Sequence, residues 1–317
     1  MGYIQEIEEK LKKSIIPQTK RDDFEQFWQE QVEMLRQIPL KITRERLVLP
    51  YDKTFLTYKI TFNTHDATMV EAYFSCPTNR GDEKLPCVAL FHGGCGYKKV
   101  YADIVATGVC CFAIDVRSQA GTTVDQAVYT SGDRMGGVAS RGILDKNEYY
   151  LKNIYLDAVR TMDVIAQLPE VDASRIVTYG ASQGGGLSVV ASALSGRSKK
   201  CYSIVTSFTC LKQRTEGRSE SQSGIFEYVH HFLQTYPCHT EKVMETLSYF
   251  DINNMVSFLK VPTVFSIGLM DEICIPEFVY SAYYHTPCEK AVHMHPFTRH
   301  WIARDFEMFA YSEFAAM

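Results

Sequence analysis

The chain has 317 residues, a formal net charge of −4 and an apolar fraction of 46%. That length allows one large α/β domain with insertions, or two small domains, around an ordinary full core. The mild charge argues against nucleic acid or an anionic membrane as partner, and no apolar run is long enough to span a bilayer.

Met1 to Lys13 alternates charged and apolar residues and lacks the apolar core of a signal peptide. Glu6 stands where a myristoylation signal after Gly2 wants Ser or Thr. Residues 1–38 read as a helical extension. Phe24, Phe27 and Trp28, followed by Val32 and Leu35, recur at helical spacing, with Asp22 or Asp23 as the expected cap. Arg46–Leu49, Thr57–Phe62 and Met69–Phe74 are rich in strand formers, with Asn63–Asp66 as a polar turn, and read as antiparallel entry strands.

Strand and helix then alternate. Strands are expected at Val88–Phe91, Val109–Val116, Ile176–Tyr179, Tyr202–Thr206, Thr263–Ile267 and Lys290–His295. Helices are expected at Leu151–Leu168, Leu187–Leu194 and Trp301–Phe314. This alternation predicts an α/β fold in which a mostly parallel sheet carries helices on both faces. The whole chain, 1–317, reads as a single domain with two insertions. Residues 117–148 are polar and glycine-rich. Residues 207–258 hold a polar loop at Lys212–Ser223 and two helices, around Phe226–Leu233 and Glu241–Tyr249. Insertions of this size commonly act as lids or subunit contacts, with a solvated surface loop as the plainer reading of 212–223. Ten cysteines occur without a C-x-x-C pair, most of them among strand residues. They read as reduced, buried thiols of a cytoplasmic protein rather than a disulfide framework.

Gly180-Ala181-Ser182-Gln183-Gly184 follows the strand at Ile176–Tyr179 and fits the G-x-S-x-G nucleophile elbow. A serine at the tip of a strained strand-to-helix turn needs small neighbours, and the helix N-terminus behind it suits a developing oxyanion. The plainer reading is a serine that merely caps the helix. A serine nucleophile also needs a histidine base and an orienting carboxylate, in the order Ser, acid, His for this elbow. Asp271 lies just beyond the strand ending at Ile267, with Glu272 as its rival. His300 lies in a loop before the last helix, whereas His293 and His295 sit in a strand pattern and His285 in a helix. The expected triad is therefore Ser182, Asp271 and His300. The expected oxyanion donors are the backbone N–H groups of Gln183 and of Gly94, in the His92-Gly93-Gly94 loop. His92 itself is given a structural role.

These motifs, together with Gly142–Lys146, Tyr149-Tyr150, Tyr155–Arg160, Ser182-Gln183-Gly184-Gly185-Gly186, Leu247–Asp251 and Gly268–Asp271, resemble the acetyl xylan esterase and cephalosporin C deacetylase family of α/β-hydrolases. The resemblance runs over nearly the whole length. It implies the α/β-hydrolase fold, a serine carboxylesterase acting on small acetylated carbohydrates or related short-chain esters, and no metal or organic cofactor. It assigns Ser182 as nucleophile, Asp271 as acid and His300 as base. It also implies a homo-oligomer, commonly a hexamer whose sites face an internal cavity, with 207–258 carrying subunit contacts. Three positions depart from the family pattern. Ser118 stands between Arg117 and Gln119 where the family has Gly, Gly94 replaces an aromatic residue, and Trp301 replaces a Glu after the base. Arg117 and Gln119 are read as bracing the loop below the site. The alternatives are an esterase of other short acyl groups and a hydrolase-fold protein that only binds. A prolyl-type peptidase would carry a propeller, and no repeat is present.

Overall fold

The computed structural model describes residues 2–79, 81–132, 137–217 and 226–317. Two helices come first, α1 (Tyr3–Lys13) and α2 (Phe24–Gln37). The strands β1 (Ile42–Leu47), β2 (Phe55–Asn63) and β3 (Met69–Pro77) follow and pair antiparallel in sequence order. Then come β4 (Leu85–Phe91), α3 (Ala102–Val105), β5 (Cys110–Ile114), α4 (Tyr150–Ile165), β6 (Val171–Ala181) and α5 (Gln183–Ser195). The chain continues through β7 (Ser198–Ile204), α6 (Leu211–Glu216), α7 (Glu227–Thr235), α8 (Thr240–Ser248) and α9 (Ile252–Met255). It closes with β8 (Thr263–Gly268), α10 (Pro276–His285), β9 (Lys290–His295) and α11 (Arg304–Ala315). Among the described residues nine strands form one sheet, in the order β1-β2-β3-β5-β4-β6-β7-β8-β9.

The sheet is antiparallel up to the β3–β5 pair and parallel from β5 to β9. The composition of the strands follows from this. β4 and β5 are covered on both faces and are almost uniformly apolar, and β8 is likewise buried but includes Thr263 and Ser266, whereas the edge strand β9 stays partly exposed. Neighbouring residues of β6 show the two layers. Thr178 faces α5, its hydroxyl donating to Ser188 O at 3.1 Å, while the ring of Tyr179 packs edge-on against Phe314 of α11.

The N-terminal extension is fastened to the domain by aromatic packing. Trp28 is fully buried, its indole N–H donates to Tyr249 O at 2.9 Å, and its ring meets Tyr155 of α4 and Phe250. Asp23 does occupy the position before α2, but its side chain caps nothing there. It instead accepts from Lys146 Nζ at 2.6 Å and from the hydroxyl of Tyr249, so tertiary partners outcompete the cap. The expected polar loop from Lys212 also differs in part, because Leu211–Glu216 is helical. The reason is Asp251, whose buried carboxylate accepts the N–H groups of Cys210 and Leu211 at 2.8 and 2.7 Å. Residues 218–223 of that loop lie outside the described residues. β1 and α11 begin earlier and later than expected, at Ile42 and Arg304.

Candidate active site

The elbow is built by sterics. Ser182 has φ 59° and ψ −122°, a left-sided conformation that non-glycine residues rarely hold. The turn is possible because Gly180 and Gly184 let β4, β6 and α5 meet. A Cβ on Gly184 would lie 1.9 Å from Phe91 O, and one on Gly180 would lie 2.4 Å from Gly184 O. Ser182 precedes α5, yet its hydroxyl makes no capping hydrogen bond. It lies instead 3.0 Å from His300 Nε2, which answers the plain capping alternative.

His300 Nδ1 lies 2.9 Å from Asp271 Oδ2 and 3.1 Å from Oδ1. The loop after β8 fixes that carboxylate, since the N–H groups of Ile273 and Cys274 donate to Asp271 Oδ1 at 2.8 and 2.9 Å. Asp271 is therefore an acceptor on every side, so Nδ1 carries the ring proton and Nε2 is left as the acceptor facing Ser182. Burial lowers the pKa of the imidazole, but the bond to Asp271 and the adjacent Cys274 thiol outweigh it and hold the ring above its ordinary value. Glu272 is exposed and His293 and His295 lie along β9, His295 pairing with Asp305 at 3.2 Å.

The structure thus brings the three expected residues together from three separate strand ends. Among the described residues, Asp271, Cys274 and His300 also form the one group whose atoms could jointly hold a metal, within 4.8 Å of one another. Two of the three already bond each other. Cys274 has no place among the site residues expected from sequence, because a thiol three residues past an acid carries no local signal of its partners.

Gly94 is exposed and, with Gly93, lines a cavity of about 310 Å³ beside the elbow. A Cβ on Gly93 would stand 3.8 Å from Ser182 Cβ, so this loop passes directly over the serine. His92 anchors the loop. Val116 N–H donates to Nε2 at 3.0 Å, which leaves Nδ1 to donate to Gly93 O at 2.7 Å, and burial keeps the ring pKa below its ordinary value. Gln183 is the first residue of α5, so helix geometry leaves its N–H without an intrahelical acceptor. Its side chain is buried and forms a reciprocal amide pair with Gln119, at 2.7 and 3.2 Å.

Arg117 lies below. Its fully buried guanidinium grips Asp157 of α4 bidentately at 2.7 Å on both arms and reaches Asp66 at 2.6 Å and Asp125 at 3.0 Å. Tyr150 donates to Arg117 O at 2.6 Å, completing a brace from the entry strands to α4 under the loop that carries Gln119. Ser118 holds φ 56°, the region glycine enters freely, and its hydroxyl accepts from Arg141 Nη1 at 3.0 Å.

A second strained segment supports the elbow from behind. Val205, Phe208 and Cys210 have φ of 38°, 65° and 51°. Ser182 N–H donates to Ile204 O at 2.9 Å, Ser207 N–H donates to Ser182 O at 3.0 Å, and Val205 N–H donates to Ser266 O at 2.8 Å. Asp251 then ties the far end of the segment through Cys210 and Leu211. Nothing in the local sequence of 205–210 announces positive φ at Val and Phe.

A mostly parallel sheet with helices on both faces, a serine at a strained strand-to-helix turn and a histidine and carboxylate from later strand ends define an α/β-hydrolase, here a carboxylic ester hydrolase of the serine type. The chain belongs to the acetyl xylan esterase family, whose model matches residues 3–316. It is similar to the solved acetyl xylan esterase from Paenibacillus sp. R4, with 31% identity and a TM-score of 0.90 over 100% of this chain and 99% of that one. It is also similar to acetyl xylan esterase 1 from Thermoanaerobacterium sp. JW/SL YS485, with 25% identity and a TM-score of 0.89 over 97% of this chain and 98% of that one. Acetyl esterase Axe7A of Xylanibacter ruminicola is 24% identical over 90% of this chain, which spans 65% of that relative's length.

Proposed function

We propose that the chain removes acetyl groups from small acetylated carbohydrates through an acyl-enzyme on Ser182. The observation that carries this reading is the chain of contacts from Ser182 Oγ through His300 to Asp271, at 3.0 and 2.9 Å, on a strained elbow. The family match over 3–316 supports the acetyl ester as substrate.

In this mechanism Ser182 Oγ attacks the acetyl carbonyl while His300 Nε2 takes its proton. Asp271 keeps Nδ1 protonated and steadies the imidazolium. The N–H groups of Gln183 and Gly94 receive the oxyanion, with the N-terminus of α5 adding its positive end. The tetrahedral adduct collapses, the sugar alcohol leaves with the proton from Nε2, and acetyl-Ser182 remains. Water then attacks the acyl-enzyme with His300 as base, and acetate departs.

The test is acetate release from p-nitrophenyl acetate and from acetylated xylose at neutral pH, beside Ser182→Ala. Turnover of both by the wild type, abolished in the variant, is the expected result. Turnover of the nitrophenyl ester alone would refute the carbohydrate reading, and turnover that survives in Ser182→Ala would refute the mechanism.

A further inference from the structure

The chain has two tryptophans, and they lie at opposite extremes. Trp28 is fully buried with its N–H satisfied, whereas Trp301 is 55% exposed. Tryptophan is the largest apolar side chain and ordinarily gives up most of its surface on folding, so an indole left in water needs a reason. Trp301 directly follows His300, which sets its Cα about 3.8 Å from that of the base.

The backbone that carries the ring is held firmly. Trp301 N–H donates to Arg299 O, Met270 N–H to Thr298 O and Leu269 N–H to His295 O, each at 3.0 Å. The last two lock the base loop to the acid loop. The next residue, Ile302, turns back into the cavity beside the elbow, and Ala303 is buried. Met270, 46% exposed, comes just before Asp271, and Tyr97, 48% exposed, lines the same cavity as Ile302. An indole, a thioether and a phenol ring are thus exposed on the loops that carry the base, the acid and Gly94.

We propose that Trp301 determines specificity by offering its indole as a flat platform for the sugar of the leaving alcohol; the inference rests on the carbohydrate reading above. The chemistry locates that sugar. His300 Nε2 must protonate the leaving oxygen, so the alcohol half of the ester lies on the histidine side, while the acetyl half lies toward Gln183 and Gly94. A pyranose ring has a face of C–H bonds and a rim of hydroxyls. Laid on an indole, the face and the ring both leave water while the rim stays hydrated. The contact involves none of the reacting bonds and is the same in ground and transition states, so it acts on KM rather than kcat.

The test compares wild type, Trp301→Phe and Trp301→Ala on acetylated xylose and on ethyl acetate, whose alcohol has no ring. The expected result is a KM for the sugar ester raised about tenfold in Trp301→Ala, with kcat changed by less than about threefold and most of the loss restored by Trp301→Phe. KM for ethyl acetate stays unchanged in all three. Xylobiose, the unacetylated ligand, is titrated against intrinsic fluorescence. With Trp28 sealed in the core, a response present in wild type and absent in Trp301→Phe assigns contact to the exposed ring. An unchanged KM for the sugar ester in Trp301→Ala overturns the platform and leaves the carbohydrate reading standing. Turnover of ethyl acetate but no turnover of acetylated xylose by the wild type overturns both. A change in sedimentation of Trp301→Ala, with no fluorescence response to xylobiose in wild type, would give the ring to a subunit contact and overturn the platform.

Discussion

Replacing Asp271 by Asn isolates the tautomer argument, because it keeps shape and removes only the carboxylate. In the native loop Asp271 Oδ1 accepts two N–H groups, from Ile273 at 2.8 Å and Cys274 at 2.9 Å, while Oδ2 faces His300 Nδ1 at 2.9 Å. An asparagine has one acceptor and one donor end. Its amide nitrogen cannot face the two N–H donors, so its oxygen takes the Oδ1 place and its NH₂ group points at His300. Nδ1 must then accept, Nε2 must carry the proton, and Ser182 Oγ has no base. The expected loss is about 10⁴-fold in kcat at neutral pH, the scale seen when a triad acid is exchanged for its amide, or about 5 kcal/mol of transition-state stabilisation. The assay is initial-rate acetate release, run beside urea unfolding to show that the loop survives. With both N–H bonds kept, stability falls by no more than about 2 kcal/mol. A folded Asp271→Asn enzyme within tenfold of wild type would refute the reasoning.

Two further predictions bear on the fold beneath the site. Gly184→Ala forces a Cβ to 1.9 Å from Phe91 O and 2.7 Å from Phe91 C, which are backbone atoms that cannot swing aside. It should destabilise by about 2–4 kcal/mol and lower kcat, and an unchanged unfolding midpoint would contradict the close approach of α5 to β4. His65, held neutral by burial with its pKa pushed down to about 4, donates from Nε2 to Asn153 Oδ1 at 3.0 Å. The unfolded chain takes that proton near 6.5, so this contribution is complete above pH 6.5 and is lost as pH falls toward 4. The ring keeps a solvent edge, so His65→Gln should remove about 2 kcal/mol of the wild type's acid sensitivity across that window. Parallel denaturation curves of the two proteins at pH 7 and pH 4.5 check this.

How legible the molecule is from sequence depends on how local each constraint is. The elbow could be read because its demands are met within five residues: small neighbours at Gly180, Ala181 and Gly184 around Ser182. The acid and base could be read because each follows a strand pattern, and the sheet delivers strand ends to one edge. Asp23 misled because a carboxylate before a helix looks like a cap, whereas Lys146 and Tyr249 lie more than a hundred residues away. The partners of Arg117 are scattered likewise, at Asp66, Asp125 and Asp157, so the sequence marks the arginine but not what it holds.

The segment behind the elbow shows why the insertion at 207–258 cannot be understood as an addition to a finished domain. A β-branched residue at φ 38° is strained by roughly 1–3 kcal/mol, and Phe208 and Cys210 add to it. Such conformations persist only when their surroundings over-determine them. Here β8 holds Val205 through Ser266 O, the elbow holds Ser207 through Ser182 O, and the insertion closes the other end through Ile252 N–H on Phe208 O and the carboxylate of Asp251. Phe208 in turn packs where Gly186 of α5 leaves room, since a Cβ there would come within 2.8 Å of its ring. The same insertion reaches the acid loop, where Arg214 donates to Ile273 O at 2.7 Å, two residues from Asp271. The backbones of nucleophile and acid are therefore both tied to one segment, and loosening it should loosen the two together.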